Sequence, residues 1–256
     1  MMIDKIPVKP NWLLIRNTPE DLASMVKLFR FVLSFFEQTF GKTIMTQEFC
    51  EVENFPEGSY ALFRIFGANP IRIETCAFST DHWAQYVYQL AHELTHYAIR
   101  QTKRDKHADT IKWFEETLAE AFSLYALHCS GQRWKQCKLH KLNPGYNKSF
   151  IDYLKNELSK PPGDALSRCR TLSDLELVNA ACEEQRQERR AERNGYYALF
   201  LQHRLQIKTI LKYSWYIQDN RLLVDFEKWA NDDPENAVFI EQLSAIQPSL
   251  AGGHAG

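Results

Sequence analysis

The sequence lacks a long apolar run, the pattern typical of a secretory leader and a surplus of charge of either sign. No stretch approaches the ~18 apolar residues that a membrane-spanning helix needs. The N-terminal stretch has no charged segment followed by an apolar core, so we expect no signal peptide. Basic and acidic residues number 31 and 32, a formal net charge of −1. This balance argues against nucleic-acid and membrane partners.

Organised cysteine spacing is also missing. Six cysteines are scattered along the 256 residues, and none forms a C-x-x-C pair. We therefore expect reduced, structural thiols and a cytoplasmic location. The stretch "CKLH" places Cys137 three positions before His140, but no second pair lies nearby to complete a further zinc site. We interpret the basic segment "KQCKLHK" at 135–141 as a solvated face.

Apolar periodicity predicts a chain of mixed α and β structure in its first half. Helical spacing of apolar residues over 20–39 follows Pro19, a favoured first helical residue. β-Branched and aromatic residues predict strands at 43–52, 60–66 and 71–78. The last two strands are joined by the turn sequence "GANP". Long helices are predicted from about 79 to 103 and from 109 to about 129.

The second half of the chain is nearly all helical in pattern. The predicted helices cover 149–160, 173–193 and 196–217. The second of these ends in a charge run, which we interpret as a solvated helix end. The stretch "PPGD" after residue 160 is the clearest helix breaker, and we place a domain boundary there. The prediction is an α+β domain at 1–160 with a small antiparallel or mixed sheet, and a helical region at 161–256 that packs on it.

The segment "YQLAHELTHYAIR" at 88–100 carries two histidines four positions apart. On a helix such residues lie about 40° apart in projection, so His92 and His96 can bind the same ion. Zinc takes imidazole nitrogens at about 2.0–2.1 Å, and this spacing supplies two of its ligands. Glu93 lies one step round the helix, where a general base would face a water on the ion. The alternative is that these residues form only the polar side of a buried helix.

A second segment, "WFEETLAEAFSLYAL" at 113–127, is apolar almost all round, which is typical of a buried helix. Glu116 and Glu120 share one face of it, and buried carboxylates need a cation or an ion-pair partner. Glu116 can be the third metal ligand, and Glu120 can accept the other ring N–H of a ligand histidine. The alternative is a salt bridge from both to lysine or arginine. We expect Glu115 to be exposed on another face.

The two segments together resemble the gluzincins, zinc metallopeptidases with an H-E-x-x-H helix and a glutamate on the next helix. "WFEETLAEAF" is similar to the W-x-x-E-G-[LF]-A-E-[YF] pattern around that glutamate. The resemblance covers roughly residues 60–127. It implies a zincin-like fold and one zinc ion held by His92, His96 and Glu116. It also implies a strand that pairs with bound peptide at the cleft rim, which we place at "IRIETCAF", residues 71–78.

Two features depart from that pattern, and one rival ligand exists. Thr117 stands where the family usually has glycine, which suggests different packing. The residue that stabilises the transition state has no clear position; Tyr146, His203 and Tyr213 are candidates. His107 could replace Glu116 as a ligand, as a later histidine does in SprT-type proteins. The glycine that follows that histidine is absent here, so we assign His107 a surface or helix-start role.

The resemblance implies hydrolysis of peptide bonds in a peptide or protein substrate, with Glu93 as the base. No motif distinguishes an endopeptidase from an exopeptidase. One alternative is a zincin-fold regulatory or binding module whose zinc site is structural or vestigial. Another is a helical interaction protein without a metal.

Overall fold

The chain forms two compact units, described here from a computed structural model. The first comprises residues 1–101 and 122–159, and the second 102–121 and 160–256. The structure describes residues 4–16, 22–55, 61–65, 71–77, 82–104, 110–220, 222–248 and 250. The two-domain organisation predicted from the sequence, at 1–160 and 161–256, stays a prediction.

The first unit contains a five-stranded sheet in the order β1-β2-β3-β5-β4. Its strands are β1 (Asp4–Lys9), β2 (Trp12–Arg16), β3 (Cys50–Asn54), β4 (Leu62–Ile65) and β5 (Ile71–Thr75). The β2–β3 and β3–β5 pairs are parallel, whereas β1–β2 and β4–β5 are antiparallel. The predicted α+β class with a small mixed sheet is confirmed.

One face of this sheet forms part of the core. Cys50 and Val52 of β3 are level with Ile71 and Ile73 of β5, and all four are buried. Trp12 of β2 continues the same row, because it is paired with Cys50. The period-2 alternation of strands therefore places these apolar side chains on one side.

The strand predictions had mixed outcomes. β4 and β5 confirm the predicted antiparallel pair, while "GANP" lies outside the described residues. The prediction of a strand from residue 43 is wrong, since Ile44–Thr46 is a 3-10 turn and β3 begins at Cys50. The β1–β2 hairpin was not predicted. Asn11 at its turn has φ 65°, a left-handed conformation that asparagine tolerates well.

β5 is not the strand on which a peptide could be added. The stretch "IRIETCAF" was expected at a cleft rim, but β5 is paired with β3 on one side and with β4 on the other. A peptide extends a sheet only at an edge that has unpaired N–H and C=O groups. The edges of this sheet are β1 and β4.

Four long helices follow the pattern read from the sequence. They are α1 (Leu22–Phe40), α2 (Trp83–Thr102), α3 (Lys112–Arg133) and α4 (Asn147–Ser159). Residues 112–121 of α3 belong to the second unit and the rest to the first. In the first unit, Phe36 of α1 meets Phe122 of α3 edge to face at 4.9 Å. None of the described helices combines the length and apolar character of a bilayer-spanning segment.

The second unit is built of shorter helices than predicted. They are α5 (Ala165–Arg168), α6 (Leu172–Ala180), α7 (Arg190–Gln202), α8 (Phe226–Asp232) and α9 (Ala237–Ser244). The predictions of single helices over 173–193 and 196–217 are wrong. The chain turns after α6, and Ile207–Tyr216 forms a 3-10 helix. Ile207, Ile210, Tyr213 and Tyr216 are buried at intervals of three, the period of that helix.

Two further sequence expectations concern side chains. The charged stretch ending at residue 193 was interpreted as solvated, but Arg189, Glu192 and Arg193 are buried. All six cysteines are free and buried, so the expected unpaired structural thiols are confirmed. The burial of the charged residues requires partners, and these lie close to the candidate site.

Candidate metal centre

His92 and His96 lie side by side on α2, one helical turn apart. Their Nε2 atoms are 3.2 Å apart and their ring centroids 4.9 Å apart. A tetrahedral ion with two Zn–N bonds of about 2.05 Å needs these nitrogens roughly 3.3 Å apart. The backbone of α2 therefore places the two rings at the separation that one zinc ion requires.

Glu116 adds a carboxylate oxygen to this pair. His92, His96 and Glu116 each offer one ligand atom, and these atoms lie within 4.8 Å of one another. Two imidazole nitrogens and one carboxylate oxygen form a donor set typical of catalytic zinc, with a fourth position left for water or substrate. The three residues can hold a metal ion. His107 lies outside the described residues, so its exclusion as a ligand stays a prediction.

Glu93 lies in the interior beside the first histidine. Its side chain is buried, as is that of His92. The placement of Glu93 next to a ligand histidine in sequence, together with its burial, suits the predicted base. The assignment itself stays a prediction.

The N-terminal half of α3 is apolar and buried, as its sequence predicts. Trp113, Phe114 and Leu118 are all completely buried. Trp113 also donates its indole N–H to the carbonyl of Leu222 at 2.8 Å, which ties α3 to the loop before α8. Glu116 and Glu120 are carried on this buried helix, so both carboxylates need a cation nearby.

An arginine of the second unit reaches both of these carboxylates. Arg186, in the 3-10 turn Arg186–Arg189 before α7, has NH2 3.8 Å from Oε2 of Glu116. Its Nε lies 4.0 Å from Oε1 of Glu120. The alternative of a salt bridge to arginine is therefore realised, although both distances are at the long end for an ion pair. It does not exclude a metal, because Glu116 has a second oxygen.

Glu120 is almost completely buried, at 4% exposure. Burial raises the pKa of Glu120, while the guanidinium groups of Arg186, Arg189 and Arg193 oppose that rise. The net result is a raised pKa for Glu120, because burial outweighs the arginines and the neighbouring Glu116 carboxylate adds to the rise. The predicted hydrogen bond from a histidine ring to Glu120 stays a prediction.

Thr117 has a structural role that the family glycine cannot fill. Its hydroxyl accepts a hydrogen bond from Nε of Arg189 at 3.1 Å and donates one to the carbonyl of Trp113. Arg189 is 1% exposed, and its NH2 also donates to the carbonyl of Cys182 at 2.8 Å. Thr117 therefore helps to satisfy a buried guanidinium.

The three candidate stabilisers have other contacts. Tyr146 accepts a hydrogen bond from the backbone N–H of Ala84, in the first turn of α2. His203 caps the end of α7 and packs against Phe239, with ring centroids 5.4 Å apart. These contacts give both residues a packing role.

Tyr213, the third candidate, is bound to a glutamate that was expected to be exposed. Its hydroxyl donates to Oε2 of Glu115 at 2.5 Å, and Glu115 is 9% exposed. The expectation of an exposed Glu115 is therefore wrong. The reason is that residues distant in the sequence, here from the 3-10 helix at 207–216, cover this face of α3.

The arginines Arg186, Arg189 and Arg193 are charged neighbours of Glu120 that the sequence interpretation missed. They lie in "EEQRQERRAER", a charge run that usually indicates a solvated surface. The signal that could have found them is the presence of two carboxylates on a buried helix, because such groups need cations from elsewhere in the chain.

Comparison with known proteins adds no relative. No family model, no curated protein and no solved structure matches the chain. The resemblance to gluzincins rests on the two segments at 88–100 and 113–127.

Proposed function

We propose that the protein is a zinc-dependent peptidase whose metal centre is formed by His92, His96 and Glu116. The observation that carries the proposal is the convergence of their three ligand atoms within 4.8 Å. The chemistry of the donor set supports zinc, since two imidazoles and a carboxylate suit this ion and leave a coordination position open.

The residues of this chain have separate tasks in the proposed reaction. Zinc, when bound, lowers the pKa of a water ligand and polarises the substrate carbonyl. Glu93 accepts the proton of the attacking water and passes it to the leaving amine, which cannot depart as an anion. His92 and His96 would hold the ion, and Glu116 would offset part of its charge.

Arg186 lies where it can influence this chemistry. Its side chain is 33% exposed, and the guanidinium stands near Glu116. A guanidinium cannot act as a proton acceptor near neutral pH, so it contributes as a fixed positive charge. We propose that it holds the two carboxylates of α3 in place, and that it repels a cation bound beside them.

The direct test measures metal content and hydrolysis on the same purified protein. We expect about one zinc ion per chain by inductively coupled plasma mass spectrometry. We also expect cleavage of a peptide library that stops with chelator and returns with added zinc. The matched control is the protein with His92→Ala, which should carry no zinc and cleave nothing.

The possible results separate the alternatives. Stoichiometric zinc without cleavage of any library member would favour the regulatory or binding module. Absence of zinc, even after incubation with excess metal and dialysis, would contradict the metal centre and favour a helical interaction protein. Cleavage that persists after removal of all metal would point to other residues as the catalytic group.

A further inference from the structure

A basic groove lies on the first unit, between one face of α1 and the C-terminal end of α3 with the segment that follows it. It encloses about 150 Å³. We call it the basic groove and define it by six of its lining residues, Lys27, Arg30, Phe31, Phe35, Arg133 and Lys138. None of the residues of the metal centre lines it.

The charge of the groove differs sharply from that of the whole chain. Four of its lining side chains are cationic, two on α1 and two from the opposite wall. Among the described residues that line it, none is acidic. The chain as a whole carries a net charge of −1. Such a local concentration of one sign attracts anionic ligands and holds them by charge-assisted contacts.

Existing contacts leave part of this charge available. Nε of Arg30 donates to the carbonyl of Val8 at 2.8 Å, and NH1 of Arg133 donates to Oε1 of Gln38 at 2.9 Å. These contacts are with neutral acceptors, so they orient the guanidinium groups without neutralising them. Burial raises the pKa of the nearby Cys137 thiol, and the charge of Lys27 opposes part of that rise.

The shape of the groove indicates an extended ligand. Its α1 wall runs from Lys27 to Gln38. Eleven steps of 1.5 Å make this wall about 16 Å long. An extended peptide rises roughly 3.3 Å per residue, so about five residues would cover that length. A single small anion would contact only a fraction of it.

The floor of the groove favours a peptide over a single-stranded nucleic acid. Phe35 is 8% exposed, and the guanidinium of Arg133 lies over its ring, 5.7 Å from the centroid. Phe31 packs edge to face on Trp134 at 6.1 Å. Nucleic-acid bases need open aromatic faces for stacking, and these rings are already engaged. An apolar floor between cationic walls instead suits acidic residues that alternate with apolar ones.

We propose that the basic groove binds an acidic peptide segment in an extended conformation. Acidic side chains of the segment pair with Lys27 and Arg30 on one wall and with Arg133 and Lys138 on the other. Apolar side chains of the segment pack against the exposed part of Phe31. This binding site is independent of the proposed hydrolysis, because the two share no residue.

The test is a fluorescence-anisotropy titration of the full chain with a labelled seven-residue peptide of alternating glutamate and leucine. The comparison probes are the same peptide with lysine for glutamate, and a single-stranded oligothymidine. We expect saturable binding of the acidic peptide alone, weakened as salt rises. Mass spectrometry of the peptide after titration checks that it is intact.

Matched charge variants locate the binding. Lys27→Gln with Lys138→Gln should weaken binding roughly fivefold to tenfold, as expected for the loss of two partly exposed ion pairs. Lys148→Gln with Lys155→Gln removes two exposed charges of α4 in the same unit and should leave the affinity unchanged. Equal weakening by both pairs, tighter binding of oligothymidine, or no saturable binding of the acidic peptide would each overturn the proposal.

Discussion

The hydroxyl of Tyr213 donates a hydrogen bond of 2.5 Å to Oε2 of Glu115, deep in the second unit. Tyr213 is completely buried. Burial and the adjacent Glu115 carboxylate raise the pKa of Tyr213 well above its usual value, so the hydroxyl keeps its proton and remains a donor. This pair links α3 to the 3-10 helix at 207–216 and gives Tyr213 a structural role.

Tyr213→Phe should therefore lower stability and leave catalysis intact. The change removes a donor from a buried carboxylate, so we expect a loss of about 1–3 kcal/mol in the free energy of unfolding. Urea titration followed by circular dichroism measures it. The control is Tyr216→Phe, in a ring that stacks on Trp229 at 5.4 Å, with an expected change within about 0.5 kcal/mol. A fall in turnover per folded molecule with unchanged stability would show instead that Tyr213 acts on substrate.

Glu93→Gln should keep zinc and abolish hydrolysis. Glutamine preserves the volume of the side chain but cannot accept the proton of the attacking water, and we expect turnover to fall at least about 100-fold. The measurement pairs zinc content with peptide cleavage at fixed protein concentration. Normal cleavage by this variant would refute the assignment of Glu93 as the base.

Glu116→Gln and His107→Ala distinguish the two possible third ligands. If Glu116 completes the centre, its replacement should weaken zinc binding by at least about tenfold, while His107→Ala should bind zinc as the unchanged chain does. Competition with a chromogenic chelator gives both affinities. Weak zinc binding by His107→Ala, together with unchanged binding by Glu116→Gln, would identify His107 as the ligand.

Arg186→Gln should strengthen zinc binding. The guanidinium stands 3.8 Å from Glu116, so it competes with a bound cation for the same carboxylate. Loss of this repulsion should raise the affinity for zinc about threefold to tenfold at low salt, and less at high salt. Arg168→Gln is the control, because its exposed side chain pairs with Asp164 and Glu188 instead. Weaker zinc binding after Arg186→Gln would mean that the arginine chiefly orders the ligand carboxylate.

Replacing Thr117 by the glycine of the gluzincin pattern should destabilise this protein. Thr117→Gly removes a hydrogen-bond acceptor from the buried Arg189, which should lower the free energy of unfolding by about 1–3 kcal/mol. Glycine within a helix should lower it by about 1 kcal/mol more. Thr117→Ser keeps the hydroxyl and should lose much less stability. Thermal unfolding of the two variants measures the difference. Equal stability of the glycine and serine variants would exclude a role of the hydroxyl in holding Arg189.

The long helices and the histidine pair could be predicted because they depend on local spacing. Apolar periodicity identified α1, α2 and α3, and one helical turn brings the rings of His92 and His96 together whatever surrounds them. The β4–β5 pair was likewise visible as two β-rich runs separated by a turn sequence. In each case the determining residues lie within a few positions of one another.

Other parts of the fold depend on partners that are distant in the chain. No glycine or proline marks the end of α7 in the sequence. Leu205 lies just beyond it and is exposed although it is apolar. The apolar positions at 207–216 fit both a 3.6-residue and a three-residue period over so short a stretch. Packing in the second unit decides between them, so periodicity alone predicted the wrong helix.

The sequence by itself determined that two imidazoles share one face of α2, with a carboxylate beside them and two more on a buried helix. Only the tertiary structure decided that Glu116 joins the histidines, that Glu115 is buried against Tyr213, and that Arg186 stands beside both Glu116 and Glu120. The physical reason is the separation in sequence over which each interaction acts. Helix geometry acts over one turn, whereas burial and ion pairing depend on segments tens of residues away that meet only on folding.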